Sequence, residues 1–242
     1  MLRVPVNEEE ASRYYKMAAD KGHIESMFKY SSMLEGGQGA PTDEKEASKY
    51  YKMAADKGYI DAVLAYGNML SDGRGVPVNE KEACRYYKMA DKGQINAIFN
   101  YALMIYKGLG IPSNEEESIR YFKKAADKGH IKAMFVYGLL IYKGWVSLLK
   151  EKEAIKYIKM SAEKGYTDAM FAYGYMLYKG RDTPVNQREA NRYYKTVADK
   201  GDIRAMVNYL KDEVFYVMMK EPSNTSRWLL TKDKYNLCLI ML

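Results

Sequence analysis

The chain is poor in the residues that do chemistry. Its 242 residues include only 2 cysteines, 2 histidines and 2 tryptophans. Cys84 and Cys238 are too sparse for a disulfide framework, so a reducing, cytoplasmic setting is expected. The opening Met1-Leu2-Arg3-Val4-Pro5-Val6-Asn7-Glu8 has no apolar core of a secretory signal. The longest apolar run, Leu237 to Leu242, is far too short to span a bilayer. Asn224-Thr225-Ser226 has the form of a glycosylation acceptor, which without a leader reads as chance. His23 and His130 each stand one residue after a recurring glycine, where other units carry Tyr59, Gln94, Tyr166 and Asp202. That reads as a variable position at the solvent edge. A metal site would need more His or Cys ligands converging. Neither a phosphate-binding Gly-x-x-x-x-Gly-Lys-Ser/Thr loop nor a Gly-x-Ser-x-Gly nucleophile turn occurs. No catalytic residue, metal ligand or cofactor is expected, and the chain reads as a non-enzyme.

What the chain has in excess is tyrosine, 24 against 6 phenylalanines. The excess is one motif counted many times. Tyr50-Tyr51-Lys52-Met53-Ala54-Ala55-Asp56-Lys57-Gly58 returns with small changes, closing at Gly22, Gly58, Gly93, Gly129, Gly165 and Gly201. The spacings are 36, 35, 36, 36 and 36 residues. A period in this range marks a helical repeat array, in which each unit buries its apolar face only against its neighbours. The segment before each glycine predicts a helix, B, with Ala47, Tyr50, Tyr51 and Ala54 on one stripe. These helices end near residues 21, 57, 92, 128, 164 and 200. Asn7 and Glu10, Asp43 and Glu46, Asn79 and Glu82, Asn114 and Glu117, Asn186 and Glu189 have the spacing of capping boxes at their starts. Lysine and then glycine close each one. A second helix, A, follows, with Ile60, Ala62, Val63, Tyr66, Gly67 and Leu70 on one broad buried face. A glycine inside it (Gly67, Gly138, Gly174) costs about 1 kcal/mol and points to close approach, expected toward helix B. Turns such as Gly73-Arg74-Gly75-Val76-Pro77 return the chain to B.

Three departures stand out. The third B helix is one alanine short, so its last turn should tighten. The fifth has Lys150 at the capping position and should begin less sharply. The turn 144–150 lacks its second glycine and its proline, so it should differ in shape and expose or repack Trp145. The array is expected over residues 1–210. A divergent, apolar tail, 211–242, has helix-compatible segments around 211–220 and 226–241 and is expected to form a helical cap, to bind a partner or to be partly disordered. End-to-end association through this tail is one partner reading.

Tyr-Tyr-Lys-Met-Ala-Ala-Asp-Lys-Gly, then Ile-x-x-Ala-Met-x-x-Tyr-Gly, then Gly-x-Gly-Val-Pro resembles the Sel1-like repeat family, relatives of the tetratricopeptide repeat. The resemblance covers about residues 4–210. It implies an all-α fold, a right-handed α-solenoid of stacked antiparallel helix pairs, and a role as a protein-binding scaffold or adaptor. One branch of the family serves endoplasmic-reticulum-associated degradation beside a ubiquitin ligase. That branch carries a signal and usually an anchor, neither of which this sequence shows. A cysteine-rich branch is excluded by the cysteine count.

The formal charge of +7 allows weak attraction to acidic partners. Two basic positions recur in each B helix, such as Arg13 and Lys16 or Lys49 and Lys52. They give the nucleic-acid reading its only support, but Glu9 and Asp56 lie four residues away and offset part of the charge. The variable positions are more informative. Asn96, Asn100 and Leu103, then Lys132, Val136 and Leu139, then Asp168 and Tyr175 lie on one face of successive A helices. In this repeat class the A helices line the concave groove. These eight residues are therefore the expected contacts of a protein or peptide partner.

Overall fold

The computed structural model describes residues 7–91, 93–144, 148–180, 183–210, 228–233 and 236–241. The B helices are α1 (Glu8–Asp20), α3 (Glu44–Asp56), α5 (Glu80–Ala90), α7 (Glu115–Asp127), α9 (Leu148–Glu163) and α11 (Gln187–Ala198). The A helices are α2 (Ile24–Gly36), α4 (Ile60–Asp72), α6 (Ile95–Lys107), α8 (Ile131–Gly144), α10 (Thr167–Lys179) and α12 (203–210). Consecutive helices pack in antiparallel pairs, the arrangement of an α-solenoid repeat. The chain divides into two compact units, Met1–Ala133 and Met134–Leu242.

In the first unit the tyrosines form a regular seam. Tyr30 meets Tyr50 edge-on with ring centres 5.1 Å apart, Tyr66 meets Tyr86 at 5.0 Å, and Tyr101 meets Tyr121 at 4.8 Å. The second unit continues the rule with Tyr137 and Tyr157 at 4.9 Å and Tyr173 and Tyr193 at 5.4 Å. Every pair joins an A helix to the B helix that follows it. The edge-to-face geometry sets the positive ring edge on the negative face, worth about 0.5–1.5 kcal/mol beyond area burial. Alanines at 0 % exposure, Ala47, Ala54, Ala62 and Ala83 among them, let the helices come close. Gly67 serves the same end. A Cβ there would stand 3.0 Å from the Tyr87 ring, so the close approach to helix B is real.

In the first unit, α3, α5 and α7 are each also tied to the B helix before them. Tyr86 Oη donates to Asp56 Oδ1 at 3.1 Å, and Tyr50 Oη donates to Asp20. Lys16 pairs with Glu46 at 2.8 Å and Lys124 with Asp91 at 2.9 Å. The second loop glycine packs against the preceding B helix, since a Cβ on Gly75 would lie 2.0 Å from the Glu44 carbonyl oxygen.

The helix starts differ from the capping box in one respect. Asn7, Asp43, Asn79, Asn114 and Asn186 do accept from the backbone N–H three residues on. The glutamate, however, does not reach the capping residue's own N–H. Where an A helix precedes, that group donates to it instead, from Asp43 to Leu34 at 3.2 Å and from Asn79 to Leu70 at 2.9 Å. Glu82 and Glu189 accept from the asparagine carboxamide instead, at 3.3 and 3.0 Å. The helix-to-helix bond has displaced the local one.

The short third unit has an 11-residue α5 where α1, α3 and α7 have 13 residues. The fifth begins early, with a 16-residue α9. Trp145 and the core of its turn, 145–147, lie outside the described residues. So do 211–220. The helix-compatible reading of 226–241 is corrected. An antiparallel hairpin stands there, β1 (Trp228–Asp233) and β2 (Asn236–Met241), with Trp228 opposite Met241 and Asp233 opposite Asn236. Only two residues separate the strands, and Trp, Thr and Ile favour extended backbone. The tail's side chains fall outside the description, so association through it remains an expectation.

Candidate functional site

The A helices of the first unit carry a groove of about 770 Å³. It runs from the middle of α4 (Leu64, Asn68) across the start of α6 (Gln94, Ile95, Asn96, Phe99, Asn100) to the start of α8 (Ile131, Lys132), with Gly93, Gly129 and His130 in the connections. Three neighbouring A helices thus present their variable positions to one space. The repeat produces this because each step of 35 or 36 residues returns the same helical face beside its predecessor.

The polar lining is mostly carboxamide. Asn100 Nδ2 donates to Asn68 Oδ1 at 3.1 Å, and Tyr87 Oη donates to the same oxygen at 3.0 Å. Asn68 is therefore held by two donors. Gln94 donates to Asp61. Asn96 and Lys132 are exposed, and Lys132 is the only formal charge among the lining residues, leaving His130 neutral. Phe99 supplies an apolar wall; it packs on Phe122 at 5.8 Å.

His130 is more than a solvent-edge residue, and the reading of it as one is corrected. Its Nδ1 accepts from the Ala133 N–H at 3.0 Å, capping α8, and its ring stacks on Phe99 at 4.3 Å and 18°. Burial, helped by the Lys132 charge, holds its pKa below the usual histidine value. The imidazole is thus neutral near pH 7, with Nε2 carrying the proton. His23 caps α2 in the same way, through Ser26 N at 3.2 Å, and Asp202 caps α12. The signal in the sequence was the position itself. One residue after the glycine is the N-cap, where acceptor side chains are favoured.

Of the expected contacts, Asn96, Asn100 and Lys132 line this groove, joined by Asn68, Gln94, Leu64, Ile95, Phe99 and Ile131. Leu103 is half-buried farther along α6 and does not line it. In the second unit Val136 is half-buried and Leu139 packs against the core formed by Ile158, Tyr173 and Tyr194. Asp168 lies 3.4 Å from Arg204, which also stands over the Phe171 ring at 4.8 Å. Tyr175 is 39 % exposed. Among the described residues, no group of three or more His, Cys, Asp or Glu is placed to hold a metal ion, and no helix is long and apolar enough to cross a membrane.

The Sel1 repeat matches residues 2–23, 24–59, 60–90, 95–130, 131–166 and 167–202. A protective antigen of uropathogenic Escherichia coli strains with an SLR fold superposes with a TM-score of 0.77 at 25 % identity, over 85 % of this chain and 44 % of that one. This chain thus spans less than half the length of that protein. A Sel1 repeat protein from Oxalobacter formigenes superposes at 0.74 and 24 % identity, over 84 % of this chain and 81 % of that one. YrrB, a TPR protein with an unusual peptide-binding site, superposes at 0.52 and 15 % identity, over 83 % of this chain and 99 % of that one. No curated protein matches the chain.

Proposed function

We propose that this chain, which belongs to the Sel1 repeat family, is a non-enzymatic adaptor that takes a peptide segment of a partner protein into the groove of α4, α6 and α8. Sel1 repeats are in general protein–protein interaction modules. One observation carries the finer reading. Three adjacent A helices gather Asn68, Asn96, Asn100 and Lys132 beside Phe99 in a single groove of about 770 Å³. Carboxamides both donate and accept, so they match the alternating N–H and C=O groups of a peptide main chain. An apolar wall beside them gives a side chain a dry anchor. The solved TPR protein of the same fold is described as having a peptide-binding site, and this chain offers a site of suitable chemistry on its own A helices. A cytoplasmic setting goes with this reading.

The test is selection of peptides from a random displayed library on the wild-type chain. Their affinity is then measured for Asn96→Asp/Lys132→Glu. A loss of about tenfold or more supports the groove. Unchanged affinity in the double variant, or failure to select any peptide, contradicts it.

A further inference from the structure

We propose that the solvent face of α3 and α5 is an electrostatic docking surface for a membrane leaflet bearing anionic headgroups. Along α3, Lys45 and Lys49 stand four residues apart with Met53 next in the row. Along α5, Lys81, Arg85 and Met89 repeat the arrangement. Residues four apart form one ridge of a helix. All six side chains are exposed, Met53 by 36 % and Met89 by 55 %.

The two ridges are neighbours, since Tyr86 of α5 donates to Asp56 of α3 at 3.1 Å. They form a patch two cations long and two helices wide. None of the four cations has an ion pair among the described residues. The neighbouring cations behave differently. Lys16 is paired to Glu46, Lys52 to Asp56 and Lys124 to Asp91. Glu46 and Asp56 of α3 are thereby engaged elsewhere, and like charges four residues apart on one helix repel. The repeat keeps this unfavourable arrangement twice in succession, which a partner of opposite charge would relieve.

The shape and composition of the patch favour a lipid surface over nucleic acid. The charges spread in two dimensions rather than along one track. No exposed aromatic ring lies among them to stack a base, the usual device of single-strand binding. A methionine at the end of each cationic row instead gives a flexible apolar side chain that can enter the headgroup layer. Basic residues beside apolar ones are what anionic leaflets attract. This surface is separate from the groove, so the adaptor reading and this proposal stand or fall independently.

The full chain is sedimented with vesicles of phosphatidylcholine alone and with vesicles containing one third phosphatidylserine. Binding is expected to the mixed vesicles only and to fall as salt rises, because screening shortens the reach of the charges. Lys49→Glu/Arg85→Glu, and the milder Lys49→Gln/Arg85→Gln, are expected to lower it by about tenfold or more with unchanged helicity. Lys132→Glu, in the groove, is expected to retain it. Absence of binding to the mixed vesicles, or binding indifferent to both double variants, overturns the proposal. So does single-stranded RNA that displaces the chain from the vesicles and loses its own binding in the same variants, since the patch would then be a nucleic-acid surface.

Discussion

Tyr86 reaches from α5 to Asp56 on α3, donating its phenol proton over 3.1 Å while its ring lies edge-on to Tyr66 at 5.0 Å. One side chain thus ties a B helix to the B helix before it and to the A helix between them. Tyr50 does the same with Asp20 and Tyr30. The two contributions can be separated. Tyr86→Phe keeps the ring and loses the hydrogen bond, with an expected cost of about 1–2 kcal/mol. Tyr86→Ala loses both and is expected to cost about 3–5 kcal/mol. Urea denaturation of the two variants checks the order.

The same phenol makes stability sensitive to alkali. Burial, aided by the Asp56 charge, pushes the Tyr86 hydroxyl up to about 12, and burial with Asp20 pushes Tyr50 to about 12. An unfolded tyrosine titrates near 10. A raised pKa means the folded state keeps a proton the unfolded state gives up. The stabilisation is therefore complete below pH 10 and is lost as pH rises toward 12. Denaturation midpoints should fall across that window, and less steeply in Tyr86→Phe.

Two glycines of similar backbone should differ sharply on substitution. Gly58 and Gly75 have φ of +85° and +66°. A Cβ on Gly58 would meet nothing within 4 Å, whereas one on Gly75 would lie 2.0 Å from the Glu44 carbonyl oxygen. Gly58→Ala is expected to cost about 1–2 kcal/mol, the strain of the left-handed region alone. Gly75→Ala adds a collision with backbone and is expected to cost more than about 3 kcal/mol. Thermal melts of the pair decide it.

Asn68 and Asn100 share a hydrogen bond yet should play different parts. Asn68 accepts from Tyr87, a residue 3 % exposed. Asn68→Ala removes that half-buried acceptor and is expected to cost about 1–3 kcal/mol. Asn100→Ala removes one bond at the edge of the groove and should change stability by less than about 1 kcal/mol while weakening selected peptides. Denaturation and peptide titration of both variants measure the split.

The repeat made most of the fold readable. Six copies of one motif reveal which positions hold and which drift, so the helices, the tyrosine seam and the approach at Gly67 follow from spacing. What one sequence conceals is competition between bonds. Nothing in Asn79 and Glu82 says that the Asn79 N–H already belongs to Leu70. His130 read as a solvent-edge residue because its acceptor role depends on a helix start one residue away. The hairpin at 228–241 was missed because it lies outside the repeat, where short apolar runs suit helix and strand alike. Of the candidate site, Asn96, Asn100 and Lys132 were visible as drifting positions. That they share a groove with Phe99 and His130 depends on how α4, α6 and α8 pack.

The groove is the centre of the functional account, and hydrogen exchange tests it most directly. The chain is exposed to deuterated water with and without a peptide selected on it, and protection is read along the sequence. The account predicts slowed exchange in the first turns of α6 and α8, around residues 95–100 and 131–136, with little change at the ends of the A helices. Protection confined to the B helices, or to the segment after residue 210, would contradict it.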